Sequence, residues 1–258
     1  MTVRIVTSLS NETVKTVRGL HLRKAREESG LFLAEGLKIV AEAADSGFAP
    51  RILLYGPEAA DHPILRRVAA AACDVLEVTP AILAKISRRE NPQMVLGVFE
   101  QRFTPLNELA PADANCWVGL EAVRDPGNLG AIIRTADGAG CGGVILIGDC
   151  CDPFSVEAVR ATMGSIFAVP IARASVADFL IWRETWPGSV VGTHLKASQD
   201  FREPAYLAPT LLLMGNEQAG LTPQLAAACD VQVKIPMRGR ADSLNLAIAT
   251  GVMIYAVT

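Results

Sequence analysis

From Trp117 onward the sequence keeps returning to one arrangement, in which a strand-sized apolar run is followed by a stretch of helical character. The runs are Trp117-Val-Gly-Leu, Val144-Ile-Leu-Ile, Phe167-Ala-Val-Pro-Ile, Val190-Val-Gly-Thr, Leu211-Leu-Leu-Met and Val231-Gln-Val-Lys-Ile. Strands this uniformly apolar have no wet face, and their alternation with helices predicts a parallel sheet covered on both sides. In such a sheet ligands collect where the strands end, so the loops that follow these runs are where chemistry is expected.

The first third alternates as well. The pattern predicts a helix over Asn11 to Glu28, a strand at Leu31-Phe-Leu-Ala, a helix from Gly36 to Ser46 stopped by Gly47, and a strand from Arg51 to Tyr55. A helix through Ile64 to Ala72 follows, then a strand from Asp74 to Val78. Thr79 and Pro80 read as the N-cap and first position of a further helix, and Met94 to Phe99 as a closing strand. This is a small α/β sandwich over residues 1–105. Prolines 105 and 111 mark 106–114 as a linker, and the parallel-sheet domain takes 115–258.

Half of the 258 residues are hydrophobic, so a substantial core is expected. No apolar run reaches the roughly 18 residues of a membrane span, and the opening Met1-Thr-Val-Arg-Ile-Val-Thr-Ser lacks the pattern of a signal peptide. A soluble, cytoplasmic protein with no membrane partner is expected. The six cysteines show no CxxC spacing and the three histidines no metal-ligand spacing, so reduced thiols and no metal site are expected. The net charge of −3 hides an asymmetry: residues 1–110 carry 14 basic against 13 acidic side chains, and residues 111–258 carry 10 against 14. Basic residues cluster at Arg18, Arg23, Lys24 and Arg26, at Arg66 and Arg67, and at Arg88 and Arg89. Arg18, Arg23, Lys24, Arg26, Arg88 and Arg89 are candidates for RNA contact, or they are solvated faces.

Three segments are poorly explained as core. In Asp125-Pro-Gly-Asn-Leu-Gly-Ala-Ile-Ile-Arg-Thr-Ala a strand ends at a Gly-rich turn and a helix begins near Leu129, leaving N–H groups free for an anion, with Arg134 on an otherwise apolar stretch. In Leu211-Leu-Leu-Met-Gly-Asn-Glu-Gln-Ala-Gly-Leu a buried strand runs into a polar turn, with Thr222 set to cap the next helix. In Val233-Lys-Ile-Pro-Met-Arg-Gly-Arg-Ala-Asp-Ser-Leu-Asn a strand meets proline, a loop carries two arginines, and Ser243 is placed to begin a long apolar helix. Asn245, a poor helix former inside that helix, invites a functional reading.

Together these segments resemble the three motifs of the SpoU/TrmH family of RNA ribose 2′-O-methyltransferases, in the trefoil-knotted SPOUT class. The first motif corresponds to Asn128, Gly130 and Arg134. The second corresponds to Gly215, Glu217, Gly220 and Leu221, and the third to Ile235, Pro236, Met237, Ser243, Leu244 and Asn245. The resemblance includes Val156-Glu-Ala-Val-Arg-Ala-Thr-Met-Gly-Ser and covers roughly residues 115 to 257. Residues from Leu22 to Val40 are similar to the opening of the L30e-like substrate-binding domain that precedes the catalytic domain in many members.

The resemblance implies an L30e-like α/β sandwich followed by a parallel-sheet α/β domain with a C-terminal trefoil knot. It implies transfer of a methyl group from S-adenosyl-L-methionine to a ribose 2′-hydroxyl of structured RNA, ribosomal rather than transfer RNA, by a homodimer. Thr193, Leu213, Gly215, Asn216, Gly220, Ile235, Met237, Ser243 and Leu244 would hold the cofactor. Arg134, Asn128, Glu217, Ser243 and Asn245 would serve catalysis. Arg134 would be either the general base or an orienting residue, in its own or the neighbouring subunit's site; the apolar last helix would be a dimer face or internal core. Two other readings stay open: a non-catalytic RNA-binding protein that keeps the knotted fold, and a nucleotide-dependent oxidoreductase. The oxidoreductase needs a GxGxxG turn, which is absent although Asp149 lies at a suitable distance from Gly130.

Overall fold

A computed structural model of the chain describes residues 3–194 and 197–258. These fall into two units. The first takes the chain up to Gln101 and again from Asp152 to Ala168; the second takes Arg102–Cys151 and Val169–Thr258.

The first unit begins with β1 (Arg4–Val6), α1 (Glu12–Gly19), α2 (Arg23–Ser29), β2 (Leu31–Glu35) and α3 (Leu37–Asp45). It continues with β3 (Ile52–Tyr55), α4 (Pro63–Ala71), β4 (Asp74–Val78), α5 (Pro80–Ser87) and β5 (Val95–Glu100). The sheet order is β1-β4-β3-β5-β2, with β5 antiparallel to both neighbours. Here the structure corrects the single helix expected from Asn11 to Glu28. The chain breaks at Leu20–Leu22, because the break turns Leu20 into the core beside Val14 and Val17 while Leu22 stays 61% exposed. Asn11 caps α1 by accepting from the backbone of Thr13 and Val14, and Thr79 caps α5 through Ile82. The three-residue strand β1 is too short to announce itself in the sequence.

The second unit opens with β6 (Cys116–Glu121), α6 (Pro126–Gly138) and β7 (Val144–Ile147), after which the chain returns to the first unit for α7 (Val156–Thr162). Phe154 and Phe167 flank α7 and pack with tilted rings against Phe32, with ring centroids 4.9 and 5.7 Å away. Burying rings of this size contributes about 1.5–3 kcal/mol each. Two ion pairs accompany them. Arg160 donates Nε and Nη2 to Oε2 of the buried Glu35, and Arg26, only 4% exposed, meets Asp152 at 2.7 Å.

The second unit resumes with β8 (Ile171–Ala174), α8 (Val176–Arg183), β9 (Val190–Thr193), β10 (Gln199–Asp200), β11 (Thr210–Met214), α9 (Pro223–Ala227), β12 (Val231–Lys234) and α10 (Leu246–Val257). Its seven strands are ordered β10-β12-β9-β11-β6-β7-β8, and every pairing is parallel. One face packs Trp117, Ile145, Leu211 and Leu213 against Phe179 and Trp186. Gly119 makes room for this: a Cβ there would lie 2.5 Å from Leu213 Cδ2. The strand expected from Phe167 starts only at Ile171. Pro170 has no N–H for the ladder, and Phe167 ends a 3-10 turn instead.

Two helix starts also differ from expectation. α6 begins at Pro126 rather than Leu129, because the Asp125 carboxylate accepts from Asn128 N at 2.6 Å and caps it earlier. The cap of α10 is Asn245, not Ser243: Asn245 Oδ1 accepts from Ala247 and Ile248. Its poor propensity inside a helix is therefore explained by its lying just outside one. Among the described residues no helix is long and apolar enough to cross a membrane.

Candidate active site

In the all-parallel sheet the adjacent strands β9, β11 and β12 end side by side, with Thr193 in register with both Met214 and Val233. The loops leaving them enclose a cleft of about 330 Å³. Of the residues expected to hold a cofactor, Thr193, Gly215, Asn216, Gly220, Ile235, Met237, Ser243 and Leu244 all line this cleft. Leu213 does not. It is fully buried on the face of β11 that packs toward Gly119, and strand alternation turns it away from the cleft. Lys234, Leu246 and Ala249 line the cleft too, and sequence reasoning missed them. Lys234 and Leu246 adjoin recognised motif positions, which was the available signal.

The turn after β11 is fixed sterically. Asn216 and Gly220 exchange backbone hydrogen bonds of 3.2 and 2.9 Å, folding the turn back on Gly215. A Cβ at Gly215 would stand 2.0 Å from Gly220 C and 2.1 Å from Leu221 N, both backbone atoms that cannot swing aside. Only glycine fits there. Gly220 itself has φ +70°, the left-handed region that glycine adopts without strain.

Glu217 ties this turn to α6. Its carboxylate accepts from Arg124 N and Asp125 N at 3.4 Å and from Asn128 Nδ2 at 3.3 Å, at the helix N-terminus where a negative charge is favoured. Asn128 Oδ1 in turn accepts from Asn245 Nδ2 at 2.9 Å. The three motifs thus meet through a Glu217–Asn128–Asn245 chain of hydrogen bonds. Ser243 lines the cleft beside it. Arg134 is not brought to this cleft: it is exposed on α6 and forms no ion pair among the described residues. Behind β9 the Cys229 thiol is pushed up to about 12 by burial, so it stays protonated and is no nucleophile.

The basic residues of the first unit separate by partner. Arg26 is buried in its ion pair with Asp152 and also donates to Leu20 O, so its guanidinium has no surface to offer RNA. This overturns its place among the RNA-contact candidates, for which sequence clustering was the ground. Arg23 pairs with Glu27 and Lys24 with Glu28 along α2. Arg18 and Arg88 face one hollow, and Arg89 lines another opening with Lys38 and Arg160.

Residues 115–255 match the SpoU rRNA Methylase family, and residues 11–97 match the MRM3-like substrate binding domain. The chain belongs to the SpoU rRNA methylase family. It is 30% identical over 251 residues to the 23S rRNA (guanosine(2553)-2′-O)-methyltransferase RlmP of Bacillus subtilis, covering 97% of each chain. It is 32% identical over 241 residues to the 23S rRNA (uridine(2479)-2′-O)-methyltransferase of Streptomyces viridochromogenes, covering 90% of this chain and 84% of that one. An AdoMet-bound rRNA methyltransferase from Sinorhizobium meliloti superimposes with a TM-score of 0.92 at 50% identity, covering 99% and 97% of the two chains. Residues 115–255 are accordingly the trefoil-knotted α/β domain of this family, and the protein is an S-adenosylmethionine-dependent RNA 2′-O-methyltransferase.

The cleft fits that cofactor on its own chemistry. Ile235, Leu244 and Leu246 give apolar walls for a purine, and Thr193 and Ser243 supply hydroxyls. Lys234 and Glu217 place opposite charges at a ligand that carries both signs.

Proposed function

We propose that the enzyme methylates a ribose 2′-hydroxyl of ribosomal RNA as a cytoplasmic homodimer, with residues 1–105 presenting the RNA and residues 115–258 carrying out the transfer. The observation that carries this reading is the cleft itself, where three separate motifs join through Glu217, Asn128 and Asn245 around a glycine that admits no substitute. The relatives named above act on 23S rRNA, which favours ribosomal over transfer RNA.

S-adenosylmethionine supplies a methyl group on a sulfonium that is already a good leaving group. The protein has to hold it, align the 2′-oxygen in line with it, and assist loss of the hydroxyl proton. In this reading Gly215, Ile235 and Leu244 hold the cofactor through backbone groups, with Thr193, Asn216, Gly220, Met237 and Ser243 beside them. Asn128, Glu217 and Asn245 act as positioning residues, since their mutual hydrogen bonds fix the turn and both helix starts. Arg134 orients the RNA. A guanidinium with a pKa above about 12 is a poor base, but it binds a backbone phosphate well and so places the neighbouring hydroxyl.

Arg134 serves the partner's cleft in this proposal, because in its own chain it stands outside the cleft. The exposed apolar stripe of α10, with Ile248 59%, Val252 36% and Tyr255 66% accessible, supports a second copy packing there. A mixing experiment tests both points. An Arg134→Ala chain and a Gly215→Val chain, each inactive alone, should regain part of the activity when co-assembled, since one mixed site then holds both intact residues. Absence of recovery in a proven mixed dimer rejects action across subunits, and a monomer by light scattering rejects the dimer. Mapping labelled methyl on protein-free ribosomal and transfer RNA tests the substrate, and label confined to transfer RNA would contradict the assignment.

A further inference from the structure

Most cations of the first unit are neutralised. Arg4 pairs with Asp74, Arg23 with Glu27, Lys24 with Glu28, Arg26 with Asp152, Arg51 with Glu100, Arg66 with Asp61, Arg67 with Asp45 and Arg160 with Glu35. Among the described residues, Arg18, Lys38, Lys85, Arg88 and Arg89 have no such partner. Three of these five converge. The last turns of α1 and α5 enclose a hollow of about 610 Å³ lined by Lys15, Arg18, Gly19, Ala84, Lys85 and Arg88, with no acidic side chain in its wall. Lys15 is held by Glu12 at 2.6 Å; the other three cations are free. Lys15 and Arg18 lie three residues apart on α1, which puts them on one helical side, and Lys85 in the last turn of α5 and Arg88 just beyond it line the hollow from the other helix.

Arg88 adds a second observation. It occupies the C-cap of α5 with φ +56°, the left-handed position that glycine fills without strain. A charged side chain there is retained against a backbone cost, and its guanidinium is spent on no ion pair.

Helix-end cations also complement the helix dipole, which would account for Arg18 and Lys85 alone. It does not account for the left-handed Arg88 or for all four cations facing one hollow. We propose that this hollow is a phosphate-binding site for the RNA backbone, with Arg18, Lys85 and Arg88 as its principal cations and Lys15 as an auxiliary. This rests on the reading that the first unit presents RNA. The contacts are to phosphate, so they add affinity and register without reading sequence.

The test is the salt dependence of binding by the full chain to a fluorescent, protein-free transcript of large-subunit ribosomal RNA. Each neutralised phosphate steepens the slope of log K against log salt by about 0.7–0.9. The triple variant Arg18→Ala, Lys85→Ala, Arg88→Gly should therefore lose about 2 from that slope and roughly tenfold or more in affinity at moderate salt. The double variant Arg23→Ala, Lys24→Ala, whose cations are paired, should keep the wild-type slope. Arg88→Gly alone should raise the melting temperature while weakening RNA binding, two opposite signs that a purely structural arginine would not give.

An unchanged slope in the triple variant overturns the site, as does a wild-type protein that binds no RNA. Methyl transfer by the wild type to the same transcript is scored alongside. If transfer occurs and the triple variant binds normally, the hollow alone is rejected. If no transfer occurs but binding weakens as described, the ribosomal substrate is rejected and the hollow stands.

Discussion

The cleft at the ends of β9, β11 and β12 and the cationic hollow between α1 and α5 are built on opposite principles. The frame of the cleft is set by backbone: a turn folded on Gly215, a strand that stops at Lys234 just before Pro236, and two helix starts tied by Asn128 and Asn245. Its geometry is imposed by steric fit, and little in it can shift. The hollow is made mainly from long charged side chains, with Lys15, Lys85 and Arg88 exposed and Arg18 half-buried. A small cofactor needs fixed atoms at fixed distances, whereas an RNA backbone needs a field that acts over several ångströms and tolerates movement. The cleft should therefore respond to mutation almost all-or-none, and the hollow in graded, additive steps.

The largest effect should come from the cleft. Gly215→Ala puts a methyl group 2.0 Å from backbone, so calorimetry should find no S-adenosylmethionine binding and transfer should vanish. Measurable binding would mean that the turn is softer than this contrast requires. Next is a buried charge in the first unit. Arg26→Ala strands Asp152 without its partner and should cost about 3–5 kcal/mol in denaturant unfolding. A loss below 1 kcal/mol would show that water reaches this pair, since solvated surface pairs are worth about that little.

Asn245→Ala should cost about 1 kcal/mol through the lost cap of α10, together with a drop in transfer through the lost bond to Asn128. Asn245→Asp keeps the cap but offers Asn128 Oδ1 no donor, so it should recover stability and not turnover. Recovery of both would reduce Asn245 to a cap. Smallest is Lys24→Ala, which breaks a 3.7 Å pair between side chains 85% and 67% exposed. It should change stability by under about 0.5 kcal/mol and leave RNA affinity unchanged. A clear fall in affinity would place α2 in the RNA surface and show that paired cations contribute to it as well.

The cleft was largely legible in the sequence because steric demands leave fixed residue types at fixed spacings, and Gly215, Glu217 and Gly220 sit within six residues. The hollow was half legible. Arg18 and Arg88 were flagged by clustering, but so was Arg26, and nothing local reveals that Arg26 meets Asp152 far along the chain. Lys15 and Lys85 stand in different helices, and only the fold brings them together. The break between α1 and α2 escaped because Leu20 and Leu22 look alike until one is buried and the other is not. For Asn245 only its placement inside the helix differs from the structure, because a cap lies one residue outside the apolar pattern that marks the helix. The strands β1 and β10 were missed because three and two residues carry no periodicity.

In the proposed function the division between holding the cofactor and using it falls at Arg134. S-adenosylmethionine affinity by calorimetry and methyl transfer to ribosomal RNA should be measured on one preparation each of wild type and Arg134→Ala. An unchanged affinity with transfer reduced by at least about 100-fold is the expected result, because the proposed role of Arg134, which does not line its own chain's cleft, is to orient the RNA and not to hold the cofactor. Retained turnover in the variant would contradict that division and remove Arg134 from the reaction.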